Sequence, residues 1–185
     1  MKTEKLFFLL SLITLISCNS CPNDSLDEIK AYHPEDKYFK ASMKSLHFIT
    51  EVSSIAQVDS VFNNMLESYQ LPVNANGAKD GTYTGASPYD AFDYKHVVEI
   101  EIKDEKIVSV DYDEIHKSRG GKQYDSVYCQ EMIVTGTSPA IAYPKMEKQF
   151  LTSQDMMKVD AVSGATYSLY RFRYAATIAL MKALL

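Results

Sequence analysis

The sequence predicts an α+β domain in which a twisted antiparallel sheet packs against helices, preceded by a helical N-terminal extension. Apolar residues recur at helical spacing before residue 70 and again near the C-terminal end. Between these stretches, two runs of alternating apolar and polar residues flank a short polar turn, which is typical of a β-hairpin. The apolar fraction of 46% and charged fraction of 23% are near globular averages, so 185 residues suffice for one core.

Residues 1–17 have the pattern of a signal peptide. Lys2 and Lys5 give a basic start, and the apolar stretch from Leu6 to Ile16 is too short to span a bilayer. The end of this stretch, with Ser17 before Cys18, resembles the bacterial lipobox, which implies that Cys18 is lipidated. We therefore expect a protein anchored by membrane lipid on the extracytoplasmic side of the cell envelope. An ordinary secretory leader is the alternative.

Residues 18–35 are polar with two prolines and are expected to form a tether. Residues 36–79 are expected to form a helical extension and linker. The first helix follows Asp36 and carries apolar residues from Phe39 to Ile49 at helical spacing. The second begins after Ser54, whose spacing to Gln57 has the capping-box form, and runs to about Tyr69.

Residues 80–185 are expected to form the main domain. Threonine and tyrosine between Asp80 and Gly85 favour a first strand. The hairpin pairs a strand containing Val98, Ile100 and Ile102 with one containing Val108, Val110 and Tyr112, so these side chains share an apolar face. The acidic cluster at the end of the hairpin is expected on a solvated face; it comprises Asp111, Asp113, Glu114 and His116.

The C-terminal half is predicted to be mainly helical. A last helix is indicated from Tyr167 to Leu185, with one face marked by Leu169, Phe172, Ala176, Ala179 and Ala183. Before it we expect a short helix at 124–132, a loop at 135–144 and a helical turn at 146–151.

Charge and composition argue against two classes of function. A net charge of −5 and a pI near 5.4 do not provide the basic surface that nucleic acid requires. The histidines show no ligand spacing, so no metal site is predicted; they are His33, His47, His96 and His116. Cys21 and Cys129 could form a disulfide in this compartment or remain unpaired.

The segment Asp160 to Thr166 carries the clearest chemical pattern. Its small residues lead directly into the last helix, where unsatisfied N–H groups and the helix dipole favour a phosphate. Gly164 and Ala165 let a ligand approach closely. A well-capped turn without a ligand is the alternative. Arg171 and Arg173 lie near the positive end of the helix dipole, so we expect at least one to face an anion; the alternative is that both extend into solvent.

This segment resembles the Asp-x-x-Ser/Thr-Gly-Ala-Thr/Ser signature of the FMN-binding domain family. The opening Gly81 to Gly85 and the hairpin also look like that family, with lipoproteins of the major membrane immunogen type most similar. The resemblance implies FMN joined to Thr166 by a phosphoester bond, which a flavin transferase installs from FAD with a magnesium ion. It further implies that Asp160 fixes the turn or is recognised by the transferase, and that Ser163 donates to the phosphate.

The resemblance also implies a function. Tyr83 and Thr84 are expected to contribute to cofactor binding, and Tyr83 and the aromatic residues Tyr89, Phe92 and Tyr94 are candidates for packing on the flavin ring. The expected role is an electron carrier that exchanges electrons with a membrane reductase or another redox partner. The alternatives are a surface-exposed binding or immunogen-type lipoprotein without flavin and an extracellular flavin reductase.

Overall fold

The computed structural model describes Lys44 and residues 54–185. These residues form a four-stranded antiparallel sheet with helices packed against it, which confirms the α+β prediction. The leader, Cys18, the tether and the helix expected after Asp36 lie outside the described residues. Within the part that is described, no helix combines the length and apolar character needed to cross a bilayer.

Helix α1 comprises Ile55–Tyr69, as the sequence predicted. The capping box is present, because Ser54 Oγ accepts from the N–H of Gln57 at 3.4 Å and Gln57 Oε1 accepts from the N–H of Ser54 at 3.1 Å. Val58 and Phe62 are fully buried in the same core as the sheet residues. The helix is therefore part of the packed structure rather than a separate appendage.

The sheet follows the order of the chain, and each strand is antiparallel to its neighbour. Its four strands are β1 (Gly81–Ala86), β2 (Tyr94–Lys103), β3 (Lys106–His116) and β4 (Gly120–Gly121). The β2–β3 turn places Asp104 and Glu105 at φ angles of 50° and 56°. Positive φ at both central residues matches the right-handed twist of the flanking strands, so this tight turn aligns the long hairpin.

A β-bulge changes which residues of the hairpin face the core. Glu101 pairs with Ser109 while Ile102 pairs with Ile107, so Val108 is an extra residue on β3. Val108 is 45% exposed, whereas Ile107 is buried. The prediction that Val108 shares the apolar face was wrong, because the inserted residue shifts the alternation by one position.

The acidic end of β3 is solvated only in part, contrary to expectation: Asp111 is exposed and His116 is half-buried, but buried residues lie between them. Tyr112, Asp113 and Glu114 are three consecutive buried residues. Asp113 Oδ1 accepts from the N–H of Gln123, which lies in the 3₁₀ turn Lys122–Tyr124 after β4. Covering elements therefore bury both faces of the strand here, and alternation along it no longer reports exposure.

Three further helices complete the fold: α2 (Ser126–Met132), α3 (Pro139–Ser153) and α4 (Thr166–Ala183). The loop expected at 135–144 was wrong in its second half, because α3 begins at Pro139 and contains Pro144. Pro144 has no N–H to donate, so one backbone hydrogen bond is missing inside α3. Burial of Tyr143, Met146 and Phe150 against the sheet offsets that loss.

Helix α4 is the central helix of the core. Its predicted apolar face is confirmed, since Leu169, Phe172, Ala176, Ala179 and Ala183 are all buried. Strand β1 approaches α4 so closely that a Cβ added at Gly85 would lie 1.9 Å from the carbonyl oxygen of Ala175. Only glycine permits this contact, which holds the middle of α4 close against the sheet.

Candidate functional site

The N-terminus of α4 is open to a ligand. Gly164 has a φ of 80°, and Ala165 occupies the N-cap position, where its side chain can make no hydrogen bond. Thr166 is the first helical residue and is half-buried. The N-cap residue makes no side-chain hydrogen bond to the first N–H groups of this 18-residue helix, and those groups with the helix dipole attract an anion.

Two side chains hold the loop that leads into α4. Gln149 Oε1 accepts from the N–H of Asp160 at 2.7 Å, and its Nε2 donates to the carbonyl of the same residue at 3.5 Å. Arg173 Nη2 donates to the carbonyls of Val159 at 2.9 Å and Met157 at 3.3 Å. The backbone before Gly164 is thus fixed from both α3 and α4.

A cleft of about 410 Å³ opens at this helix terminus. Chain segments far apart in sequence meet around it. The lining residues that matter for chemistry are Lys122, Tyr128, Thr137, Gly164, Thr166 and Arg171. Because two cations lie in the same cleft as the start of α4, its electrostatics favour an anionic ligand.

A buried carboxylate fixes those two cations. Glu114 Oε2 accepts from Lys122 Nζ at 2.8 Å and from Arg171 Nη1 at 3.4 Å. Its other oxygen accepts from the hydroxyls of Ser168 at 2.9 Å and Tyr112 at 3.3 Å. One negative charge is therefore shared by two positive charges, which leaves an excess of one positive charge in this group.

The pKa values follow from this arrangement. Burial by itself would raise the pKa of Glu114, but the charges of Lys122 and Arg171 outweigh it and hold that pKa well below its usual range. Burial would lower the pKa of Lys122, yet the carboxylate of Glu114 raises it overall. Both groups are consequently charged at neutral pH, and the cleft keeps its cations.

A second cleft of about 450 Å³ adjoins the first, because Lys122, Tyr128 and Arg171 line both. Its remaining walls are Asp90, Phe92, Tyr94 and Arg119. The Lys122 ammonium lies 4.6 Å from the ring centroid of Tyr94 and 4.7 Å from that of Tyr128. Aromatic and cationic side chains therefore alternate along this part of the surface.

The structure brings together only part of the predicted site. Gly164, Ala165 and Thr166 line the first cleft, whereas Asp160 and Ser163 are exposed in the same loop and line neither cleft. Tyr83 and Thr84 lie on β1 outside both clefts: Tyr83 donates through its hydroxyl to the carbonyl of Lys79 at 3.0 Å, and the carbonyl of Thr84 accepts from Lys182. Neither has the position expected of a cofactor ligand.

The two arginines of α4 behave differently. Arg171 lines both clefts, while Arg173 is buried and donates to loop carbonyls instead. Contact of Arg171 with an anion stays a prediction. The other aromatic residues also separate, since Phe92 and Tyr94 line the second cleft and Tyr89 packs under the ammonium groups of Lys95 and Lys117.

Sequence reasoning missed Glu114, Lys122, Tyr128 and Thr137. Glu114 was assigned to a solvated face, and nothing in the pattern around Lys122 or Thr137 distinguishes them from surface residues. Cys129 is half-buried, with its thiol 3.6 Å from the carbonyl oxygen of Gln123. Over the described range, no group of three or more His, Cys, Asp or Glu side chains is arranged to hold a metal ion.

Residues 93–181 match the model of the FMN-binding domain family. The matched segment includes the cationic residues that line the two clefts, the loop that leads into α4 and nearly all of α4 itself. This chain belongs to the FMN-binding domain family through that segment. Helix α1 and strand β1 precede the match, although both pack on its α4.

Two solved structures are similar to this FMN-binding domain. A crystal structure of the CPE2226 protein from Clostridium perfringens is 32% identical, with a TM-score of 0.54, and the alignment covers 57% of this chain and 88% of that one. A solution NMR structure of a Clostridium thermocellum protein is 29% identical, with a TM-score of 0.35, over 57% of this chain and 89% of that one. No curated protein sequence matches the chain.

The residues of the first cleft are suited to the cofactor that the family implies. A Cβ at Gly164 would lie 3.0 Å from Thr137 Cγ2, so a side chain there would crowd the cleft. Thr137 Oγ1 is buried and has no hydrogen-bond partner among the described residues. A buried hydroxyl without a partner beside an uncapped helix terminus and two cations is what a bound phosphate would satisfy.

Proposed function

We propose that this protein carries FMN covalently on Thr166 and serves as an electron carrier of the cell envelope. One observation carries the proposal: the Thr166 hydroxyl lies at the uncapped N-terminus of α4, in the cleft that also holds Lys122 and Arg171. A phosphodiester there bears one negative charge, which offsets the one excess positive charge around Glu114.

The attachment would use a separate flavin transferase with FAD and magnesium, as the family resemblance implies. Thr166 Oγ1 forms a bond to the phosphorus on the FMN side of the pyrophosphate, the pyrophosphate bond breaks, and AMP leaves. The hydroxyl proton of Thr166 is released. The mass added to the chain is that of FMN less one water.

FMN, when bound, accepts and returns one or two electrons. The chain's own residues fix the cofactor and supply countercharge, and the proposed carrier role requires no nucleophile or general acid from the protein. A membrane reductase or another redox partner would deliver and remove the electrons. Lipid on Cys18 would keep the domain at the membrane surface and so raise its local concentration near such partners.

Intact mass tests the attachment. The full chain is produced with a flavin transferase, and we expect the added mass on wild type, its loss in Thr166→Ala and its retention in Thr166→Ser. Thr152→Ala is a matched control, because Thr152 is exposed on α3 and away from both clefts. Added mass on Thr166→Ala would contradict the proposal.

Anaerobic reduction separates the carrier from its alternatives. The flavin-loaded protein is reduced with dithionite and reoxidised while absorbance is recorded. A carrier bleaches and recovers, and shows little steady-state turnover with nicotinamide donors. Rapid turnover of such a donor by the protein alone would instead identify a reductase, and absence of a chromophore would identify a binding lipoprotein.

Cell fractionation tests the anchor. If Cys18 is lipidated, Cys18→Ala moves the protein from the membrane fraction to a soluble one. An unchanged distribution would exclude an acyl anchor at this residue. This outcome is independent of whether Thr166 is modified.

A further inference from the structure

The second cleft differs in character from the first. Its walls are mainly aromatic and cationic, and Phe92 is 70% exposed at its edge. A phenylalanine ring at the rim of a cleft is accessible to a ligand that enters the cleft. Flat aromatic ligands bury such a ring and stack on it.

Tyr128 lies where the two clefts join. It lines both of them, is half-buried on α2, and its ring lies against the Lys122 ammonium. Lys122 is itself fixed by Glu114 at 2.8 Å. A ligand that begins in the first cleft and continues into the second therefore passes a tyrosine ring and a fixed positive charge.

We propose that the second cleft holds the isoalloxazine ring of the flavin, with Phe92 and Tyr128 as its aromatic walls and Arg119 as a neighbouring cation. The inference rests on the proposed attachment at Thr166, which places the phosphate in the first cleft. Volumes of about 410 and 450 Å³ are each within the roughly 300 to 1,000 Å³ typical of ligand sites.

The ring would lie against a cationic environment. Arg119 lies over the ring of Tyr94 at 5.4 Å, and Lys122 lies over the same ring at 4.6 Å. Positive charge beside a flavin favours the added electron, so these two side chains raise its reduction potential. Tyr83, by contrast, donates its hydroxyl to the backbone carbonyl of Lys79 and does not line the second cleft.

Flavin fluorescence directly tests whether the isoalloxazine ring lies in the second cleft. A tyrosine ring in contact with the excited flavin quenches it by donating an electron, whereas phenylalanine does not. Tyr128→Phe keeps the wall and removes one quencher, while Tyr94 remains in the same cleft, so the fluorescence yield of the loaded full chain rises. Phe92→Tyr adds a quencher and lowers the yield. Tyr124→Phe is the matched control, because Tyr124 is 79% exposed nearby but lines neither cleft.

A second measurement uses the midpoint potential of the bound flavin. Arg119→Gln shifts it to a more negative value. Lys106→Gln removes the same charge at the opposite end of the 11-residue strand β3, on the order of 30 Å away, and leaves the potential unchanged. If the two variants have equal midpoint potentials, Arg119 does not lie beside the flavin ring.

The two proposals fail in different ways. Intact mass reports attachment alone, so wild type without added mass overturns the role of Thr166. In that case FMN is titrated into the unmodified wild-type chain: saturable quenching that weakens in Tyr128→Phe supports the proposed position of the ring. If the fluorescence is the same in wild type, Tyr128→Phe and Phe92→Tyr, the flavin ring does not lie in the second cleft, whether or not the flavin is attached.

Discussion

Replacing Glu114 with glutamine should destabilise the flavin-free protein strongly. The carboxylate is completely buried and is the shared partner of Lys122 and Arg171, whose side chains are only 11% and 14% exposed. An amide has no charge to offset them, and even with its oxygen turned toward the two cations it leaves both positive charges without a counter-charge. Removing one partner of a buried ion pair costs about 3 to 5 kcal/mol.

The pH dependence follows from the direction of the pKa shift. The folded-state pKa of Glu114 is below its ordinary value of 4.5, so its contribution is fully present above that value. As the pH falls below 4.5, the unfolded chain binds a proton that the folded chain does not. Glu114 then accounts for a loss of about 1.4 kcal/mol per pH unit in the free energy of unfolding. That slope is absent in Glu114→Gln.

Urea unfolding followed by circular dichroism measures both effects, at neutral pH and in steps below 4.5. Glu101→Gln is the control, because this carboxylate is exposed on the adjacent strand β2. If Glu114→Gln does not fold, the double variant Glu114→Gln/Lys122→Met regains stability by removing the unpaired ammonium. Equal stability and equal pH slope in wild type and Glu114→Gln would refute this account.

Two glycine substitutions give the remaining predictions. Gly85→Ala should lower the free energy of unfolding, measured with heat or urea, by about 3 kcal/mol or more, because its Cβ would meet the backbone of Ala175 at 1.9 Å. Gly120→Ala is the control: no atom lies within 4 Å of its Cβ, so it should lower the free energy of unfolding by only about 1 to 2 kcal/mol, from its positive φ. Gly164→Ala should lower the free energy of unfolding by a similar amount, about 1 to 2 kcal/mol. It should also reduce the fraction of chains that carry flavin, as measured by intact mass, because the new methyl group crowds the cleft at Thr137. Full attachment in this variant would show that the loop adapts.

The sequence was informative wherever structure depends on local pattern. The capping box at Ser54 and the helical spacing after it specified α1, and strict alternation specified the hairpin. The turn at Asp160 to Thr166 also followed from local composition, because glycine and small residues directly before a helical pattern favour a turn at the helix start. These features depend on neighbours within about four residues, which the sequence displays directly.

Local reasoning failed where distant segments decide the outcome. The expected loop extended to Pro144, but core packing of Tyr143 and Phe150 keeps this proline inside α3. Alternation along a regular strand predicts a buried Val108 and an exposed Glu114. A bulge exposes Val108 instead, and covering elements bury Glu114. At Pro144, burial against the sheet outweighs a helix-propensity penalty of about 3 kcal/mol.

The attachment residue and the site around it were determined at different levels. Thr166 stands out in the sequence because its segment resembles a family signature and leads directly into a helix. The cations, the buried carboxylate and the aromatic walls do not stand out, since Glu114 is separated from Ser168 by 54 positions and from Arg171 by 57. Only the packing of α4 across β3 brings them together, and a buried charge becomes understandable only once its partners are in contact.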